Sequence, residues 1–277
     1  MLFKNKICQN CGHAYDPALE YCPECFSRDE QYGNQKGFSK KQSYLPIVRQ
    51  ALLFGLRWLG FQLLAIIVEI IYFSLAGGVP EVMSVHDVTV INSVSYFILF
   101  GVLAAISFPC FKELTKSFKK GSSWLYGVGY GITLIVASIV YGAIIQMISP
   151  ISDNANQTAV TAMINGYPLL SILVVGILGP VCEELTYRVG LLSFLSRINK
   201  KAAIIITCIV FGLIHFDFTS IGTETFINEL LNLPSYIIAG VILSLAYDHK
   251  GLSCSMTAHI INNLYNLIVS LKILTII

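Results

Sequence analysis

The chain has 277 residues, of which 55% are hydrophobic and 12% are charged, and its formal net charge is +2. Ordinary soluble domains carry about a quarter charged residues, and here the apolar residues come in blocks of about 20, the length that a helix needs to cross a bilayer. The small net charge indicates no nucleic acid partner. The first 45 residues are polar and cysteine-rich, so no secretory signal is expected. The composition predicts an all-α, polytopic membrane helix bundle whose surroundings are the lipid bilayer.

A small metal-binding module is predicted at the N-terminus, over residues 1–26. It contains two Cys-x-x-Cys pairs separated by ten residues, Cys8 with Cys11 and Cys22 with Cys25. Four thiolates form the closed tetrahedral shell that structural Zn²⁺ prefers, whereas two disulfides would need an oxidising compartment. The segment has too few apolar residues to fold alone, so the metal would serve as its core. The module resembles a zinc ribbon, and its sequence does not identify a partner.

A polar linker, residues 27–46, precedes a transmembrane bundle predicted over residues 47–277. Lysine and arginine occur before the first apolar block and in the loops after the second, fourth and sixth, whereas the other three loops contain none. The positive-inside rule therefore predicts a multi-pass protein of the cell membrane with a cytoplasmic N-terminus and an external C-terminus. This orientation agrees with a reduced zinc site. The predicted spans, about seven, are 51–76, 88–111, 124–148, 167–196, 202–218, 230–247 and 252–277.

Three ionisable residues lie near the middle of the fourth block: Glu183, Glu184 and Arg188. Each costs roughly 2.5–3.5 kcal/mol at the centre of a membrane helix, so their face must point into protein or into a wet cavity. Glu184 and Arg188 are four residues apart, which predicts that they neutralise each other. Glu183 is then left for proton chemistry. The alternative is a charge cluster that only locks helices together.

Two later blocks carry histidines, His215 near the end of the fifth and His259 in the seventh, with Asn263 four residues after His259. Measured at 1.5 Å per residue from the cytoplasmic end of each span, Glu183, His215 and Asn263 all lie roughly 20 Å deep. A shared depth on three spans favours one site over scattered packing residues. His259 and Asn263 can converge on one ligand because they share a helix face, and Asn266 is a reserve candidate.

Three short motifs on separate spans resemble, in order, the signature motifs of the CAAX protease and bacteriocin-processing (CPBP, or Abi) family. They are Glu183-Glu184-xxx-Arg188, Phe211-xxx-His215 and His259-xxx-Asn263. The resemblance covers about residues 165–270 and implies an α-helical intramembrane endopeptidase, similar to the type II CAAX prenyl proteases. Family members often continue the first motif with Phe-Arg-Gly. This chain has Val189-Gly190 after the arginine instead, and the displaced glycine is expected to alter helix packing.

Carried over residue by residue, the resemblance implies that Glu183 and His215 activate a water molecule and that His259 and Asn263 stabilise an oxyanion, with the neighbouring ion pair in support. It permits a metal-bound water, and therefore a divalent metal at the membrane site, or a water activated without metal. The implied substrate is a peptide or membrane protein. Two other functions stay open. One is a non-catalytic peptide-binding or bacteriocin-immunity factor, and the other is a transporter, which the lack of duplicated halves disfavours.

Overall fold

The computed structural model describes residues 6–8, 12–15, 22, 45–148 and 154–271. Nearly all of the chain from residue 45 onward within these ranges is helical, so the predicted all-α fold is confirmed. A helix pairs its backbone groups within one segment, which is what a bilayer requires of a spanning chain. The main helices are α1 Ile47–Ala76, α2 Val85–Ser107, α3 Gly121–Ile148, α4 Ala155–Gly166, α5 Pro168–Leu195, α6 Lys200–Leu213, α7 Phe226–Lys250 and α8 Leu252–Ser270.

Side chains cap the starts of several helices. At the start of α2, Ser84 Oγ accepts from the Asp87 N–H at 3.2 Å, and Asp87 Oδ2 accepts from the Ser84 N–H at 2.8 Å, which is a capping box. The amides of Asn154 and Asn199 accept from the first turns of α4 and α6 in the same way. The shorter elements are a helical turn at Phe111–Leu114 and 3₁₀ turns at Phe108–Cys110, Ser117–Lys119 and Phe218–Ser220.

The N-terminal segment contains a small hairpin of two antiparallel strands, β1 Lys6–Ile7 and β2 Ala14–Tyr15. Gly12 lies between them with φ 75°, a left-handed conformation that glycine adopts without strain. The predicted linker 27–46 lies almost wholly outside the described residues, so its predicted boundaries stay predictions.

Two of the four predicted zinc ligands, Cys8 and Cys22, are buried and pack in one small cluster with Tyr15. The two thiols therefore lie close together among the described residues of this segment. Cys11 and Cys25, the other two predicted ligands, lie outside the described residues. The zinc ribbon therefore stays a prediction.

Within the described residues, five helices are long and apolar enough to cross a membrane, which makes the chain a multi-pass membrane protein as predicted. They are α1, α2 with its following 3₁₀ turn, α3, α5 and α7. Large apolar side chains such as Leu75 and Met147 are exposed on their outer faces, as expected for lipid contact. The other two predicted spans correspond to α6, with 14 residues, and α8, with 19. Residues 272–277 of the seventh block lie outside the described residues, and the number of seven spans stays a prediction.

Contacts join the loops that carry lysine and arginine at one end of the bundle. Lys200 Nζ lies 2.5 Å from Asp248 Oδ1, which ties the start of α6 to the end of α7. Ser123 Oγ donates to the carbonyl oxygen of Lys250 at 3.0 Å, which ties the start of α3 to the same end of α7. The basic loops that are separate in sequence therefore meet in space. Which end faces the cytoplasm stays a prediction.

Helix α5, the bearer of the glutamate motif, is the most deeply packed of the five long helices. Its apolar stretch is 61% buried, compared with 11% for that of α3. Helix α1 approaches it closely at Gly190, where an added Cβ would lie 3.2 Å from both the Gln50 carbonyl oxygen and the Phe54 nitrogen. The glycine that is displaced relative to the family motif thus lies at a close helix contact, where a side chain would force the two backbones apart.

Candidate active site

The first half of α5 is wound partly as π-helix, over Ile172–Leu178. In this register an N–H donates to the carbonyl five residues earlier, as the Gly179 N–H does to Val174. The next donor in the series would be residue 180, but Pro180 has no N–H. The carbonyl oxygen of Val175 is therefore left to accept from a group outside the helix.

Asn263 of α8 supplies that group. Its Nδ2 donates to the Val175 carbonyl oxygen at 3.0 Å, and its Oδ1 accepts from Asn262 Nδ2 at 3.5 Å. Two contacts fix the plane of the amide, and they use only one of its two N–H donors. Asn263 thus docks α8 against α5 and keeps a second donor in the cavity that it lines.

Glu184 and Arg188 are fully buried within the second π-helical stretch of α5, Glu184–Leu192. Glu184 Oε2 lies 3.5 Å from Arg188 Nε, the pairing that the spacing suggested. No described residue accepts a hydrogen bond from the Arg188 guanidinium, which packs over the Phe211 ring at 4.8 Å. Glu184 Oε1 also accepts from His259 Nδ1 at 3.0 Å, a contact that the spacing within α5 could not predict.

The imidazole of His259 therefore lies between the two glutamates. Nδ1 faces Glu184, and Nε2 lies 3.7 Å from Glu183 Oε2. Because a carboxylate only accepts, Nδ1 carries a proton in this arrangement. Nε2 is then a lone-pair acceptor in the neutral ring and an N–H donor in the imidazolium. The hydrogen bond to the Glu184 carboxylate fixes the orientation of the His259 ring, as carboxylates commonly do for histidines at functional sites.

His215 lies in the turn that follows α6. Its backbone N–H donates to Gly212, so the Phe211 carbonyl oxygen is left for the side chain, and His215 Nδ1 lies 2.8 Å from it. A carbonyl oxygen only accepts, which puts the proton on Nδ1 and leaves a lone pair at Nε2. The ring stacks on Tyr236 of α7, with centroids 4.4 Å apart and planes 10° apart. These contacts hold the imidazole in one orientation.

Phe211 connects the three motifs through its ring. The ring centroid lies 5.0 Å from that of His215, 5.9 Å from that of His259 and 5.4 Å from that of Tyr187. These are separations at which aromatic rings attract each other, and the last two pairs have the favourable edge-to-face geometry. The phenylalanine of the second motif is thus a packing centre that fixes the two histidines relative to each other.

A buried carboxylate outside the motifs holds the segment that follows His215. Glu229 of α7 accepts from the Asp217 N–H through Oε2 at 3.1 Å and from the Ala155 N–H through Oε1 at 2.7 Å. It therefore ties the loop after α6 to the first turn of α4. A negative charge at a helix start is also favourable for the helix dipole.

A cavity of about 640 Å³ is lined by residues of all eight main helices, α1 to α8. The four residues predicted to be catalytic, Glu183, His215, His259 and Asn263, all line it. The Glu184–Arg188 pair does not, because it is sealed behind the cavity wall. Amide side chains make up much of the remaining polar lining, namely Gln62, Asn92, Asn156, Gln157, Asn262 and Asn266.

Sequence reasoning missed three residues of this region: Arg57 in the cavity wall, Tyr236 beneath the His215 ring, and Glu229 behind it. Arg57 had a usable signal, since a charge inside an apolar block is a functional candidate by default. Tyr236 had no comparable signal, because an aromatic residue in an apolar helix is ordinary.

The family resemblance permits a divalent metal at this site, so the donor geometry matters. Among the described residues, no three His, Cys, Asp or Glu side chains stand together in an arrangement that could hold a metal ion. His259 has one nitrogen committed to Glu184, and His215 has one committed to a carbonyl oxygen. Each ring keeps its Nε2 atom available, as metal-binding histidines with such partners also do. The divalent metal that the resemblance permits stays a prediction, and the reaction proposed below is written with protein groups alone.

Comparison with known proteins finds a family match within the C-terminal half of the chain. The family described as "Type II CAAX prenyl endopeptidase Rce1-like" matches residues 165–265, which include all three motifs. The predicted resemblance is confirmed over that segment, and it supports an intramembrane protease of the CAAX class at the level of the family.

Two curated proteins are also similar to the chain. The UPF0177 protein YvdC of Lactococcus lactis is 23% identical over 193 residues, which cover 67% of this chain and 69% of that protein. An uncharacterized protein of Mycoplasma capricolum is 26% identical over 169 residues, covering 56% of this chain and 46% of that protein. No solved structure matches the chain.

Proposed function

We propose that this chain, whose residues 165–265 match the Rce1-like family, is an intramembrane endopeptidase that hydrolyses a peptide bond of a membrane-associated protein or peptide. The observation that carries the proposal is the convergence of four side chains on one cavity inside a membrane bundle: Glu183 from α5, His215 from the turn after α6, and His259 and Asn263 from α8. Polar groups at that depth are costly and mark functional sites. An amide-rich wall also suits a peptide, whose backbone needs donors and acceptors when it leaves water.

The attacking water is proposed to lie between Glu183 and His215. Glu183 presents a carboxylate to the cavity, and His215 presents the lone pair of Nε2, so the water can donate one hydrogen bond to each. Removing a proton from this water gives a nucleophile that bonds to the carbonyl carbon of the substrate. Such general-base catalysis contributes typically 10²–10⁴-fold to a rate.

The negative charge that develops on the carbonyl oxygen is proposed to be met by Asn263 and His259. Asn263 offers its second N–H, and the His259 imidazolium offers Nε2–H. Donors held in place before the reaction stabilise this charge without reorganisation. Collapse of the intermediate breaks the C–N bond, and the proton taken from water is transferred through Glu183 to the departing nitrogen. One water molecule is thereby added across the peptide bond.

The test is Glu183→Gln in protein reconstituted into liposomes with a degenerate library of apolar peptides as the probe. An amide keeps the shape of the side chain but cannot accept the proton, so cleavage should fall by about 10²–10⁴-fold. Mass spectrometry of the products measures it. Glu69→Gln is the matched control, because Glu69 is also a carboxylate in a span but does not line the cavity.

Activity that survives in Glu183→Gln would refute the proposed role of Glu183. A wild-type protein that binds library peptides and releases them uncleaved would instead support the alternative, a non-catalytic peptide-binding or bacteriocin-immunity factor. The two functions therefore predict different fates for the same bound peptide.

We also propose that residues 1–26 form a zinc ribbon with Cys8, Cys11, Cys22 and Cys25 as ligands. The burial of the Cys8 and Cys22 thiols in one cluster supports this arrangement. Purified protein should contain about one Zn²⁺ per chain, and Cys22→Ser should remove it while cleavage continues. Metal analysis of His215→Ala provides the comparison: zinc that is lost from this variant and retained in Cys22→Ser would place the metal in the membrane.

The proposed orientation has a cytoplasmic N-terminus and an external C-terminus. It rests on the segregation of lysine and arginine to alternate loops. Reporter domains fused to the two termini should therefore be accessible from opposite sides of the membrane. Accessibility of both from one side would refute the orientation.

A further inference from the structure

Arg57 of α1 is a charged residue in a membrane span for which the proposed hydrolysis has no use. Its side chain is more than nine-tenths buried, with 8% relative exposure, and it lines the same cavity as Glu183. Helix α1 lies outside the family match at 165–265. Among the described residues that line the cavity, Arg57 alone carries a permanent positive charge.

Aromatic side chains hold the Arg57 guanidinium in place. Its central carbon lies 4.3 Å from the ring centroid of Phe61 and 5.9 Å from that of Tyr96. Ring faces attract a cation but accept no conventional hydrogen bond. The Tyr96 hydroxyl lies within hydrogen-bonding reach of the guanidinium, whereas Arg57 Nε donates to no described residue. A guanidinium presents five N–H groups in a planar fork that matches a carboxylate. The side chain is thus oriented and buried, and its Nε–H has no acceptor among the described residues.

The carboxylate of Glu183 could itself be the partner of the Arg57 guanidinium, since it is within electrostatic reach of Arg57. No ion-pair contact joins the two in the described structure, however, and Glu183 instead has His259 at 3.7 Å. Arg57 therefore has two possible partners: the reacting carboxylate of the enzyme, or an anion that arrives with the substrate. These alternatives predict different kinetics.

We propose, on the basis of the proposed peptidase function, that Arg57 forms a subsite for a carboxylate of the substrate peptide. The carboxylate is either the C-terminal carboxylate of the peptide or an acidic side chain near the scissile bond. The amide-rich wall binds the peptide backbone, and the Arg57 fork selects the peptide by its negative charge. A carboxylate that enters a low-dielectric cavity needs a paired cation, and Arg57 is the one available there.

The experiment compares four forms of one apolar peptide library in liposomes: C-terminal acid or amide, each with or without a glutamate at a fixed position. Wild-type protein should cleave the preferred anionic form about 10–100-fold faster, as expected for a charge-assisted hydrogen bond. Comparison of the four forms shows whether Arg57 binds the C-terminal carboxylate or the glutamate side chain. In Arg57→Met the ratio between cleavage of the anionic and the uncharged forms should fall to about one.

Two variants serve as controls. Arg57→Lys keeps the charge without the planar fork and should retain part of the preference. Arg49→Met removes another cation of α1, one that donates to the Ile106 carbonyl oxygen and does not line the cavity. The ratio between anionic and neutral peptides should be unchanged in this variant. Thermal unfolding of each variant checks that the bundle is intact.

The outcomes separate this inference from the proposed function. Equal loss of cleavage for charged and uncharged peptides in Arg57→Met would show that Arg57 is the counter-ion of Glu183, and it would overturn the subsite. A wild-type protein that cleaves all four forms equally would also overturn it. If no form is cleaved, the peptidase proposal fails. The subsite is then decided by binding of the labelled acid and amide peptides to Glu183→Gln protein, where Arg57→Met must abolish any difference in affinity.

Discussion

Two consecutive residues of α5 belong to different regions of the molecule. One region is the wall of the cavity, and the other is the sealed layer behind it, which consists of the buried Glu184–Arg188 pair. Glu183 belongs to the wall, where its carboxylate faces the cavity and the Nε2 atom of His259. Glu184 belongs to the sealed layer, where it is fully buried against Arg188 and the Nδ1 atom of His259. Successive side chains on a helix point about 100° apart, so neighbours can have opposite surroundings.

The difference teaches that the same side chain acquires its role from its surroundings. A carboxylate with a guanidinium and an imidazole as fixed partners is a structural anion that orients His259. A carboxylate with one loose contact and a cavity in front of it is available to take a proton. The two layers are joined through His259, which contacts one glutamate with each ring nitrogen. The following predictions test this division, from the largest expected effect to the smallest.

Glu184→Gln should destabilise the protein strongly, because it leaves the fully buried Arg188 without a counter-charge. Removing one partner of a buried ion pair costs about 3–5 kcal/mol. The double variant Glu184→Gln with Arg188→Met should recover much of that loss, because no unpaired charge remains. Thermal unfolding in detergent measures both. Normal stability of Glu184→Gln would contradict a buried ion pair between Glu184 and Arg188. A double variant less stable than the single one would contradict it as well.

Asn263→Ala should lower kcat by about 10²–10³-fold, with little change in KM, because the lost donor engages the substrate only as charge develops. Asn263→Asp should be worse, since a carboxylate repels the oxyanion and cannot donate to the Val175 carbonyl oxygen. Steady-state kinetics with and without a chelator measure both variants. An active, chelator-sensitive Asn263→Asp enzyme would contradict the metal-free reaction, because a carboxylate can replace an amide as a metal ligand.

Gly190→Ala should destabilise the close contact between α5 and α1, which lies next to the buried Glu184–Arg188 pair in the chain. The added methyl would lie 3.2 Å from backbone atoms of Gln50 and Phe54, which cannot move aside as a flexible side chain can. Overpacking of this kind costs about 1–3 kcal/mol. Gly142→Ala is the matched control, since a Cβ at that position of α3 meets nothing within 4 Å. It should be neutral or slightly stabilising, because alanine is the better helix former. Equal unfolding temperatures for the two variants would contradict the close contact.

The sequence by itself determined the class of the protein and the identity of its polar cluster. Continuous apolar blocks of about 20 residues have the length of a spanning helix, which pairs its own backbone groups where a bilayer offers them no partner. Charges inside such blocks are costly enough to be conspicuous, which is why Glu183, Glu184 and Arg188 could be identified without a structure. Arg57 carried the same signal in the first block and could have been found in the same way.

Only the tertiary structure decided how these groups contact one another. The Glu184–His259 hydrogen bond, the stacking of Tyr236 on His215 and the fit of Asn263 onto the Val175 carbonyl oxygen each join residues at least 21 positions apart in the chain. Spacing along one helix fixes which side chains share a face, but the rotation and depth of one helix against another depend on the packing of the whole bundle. That packing sealed one glutamate behind the wall and left its neighbour facing the cavity.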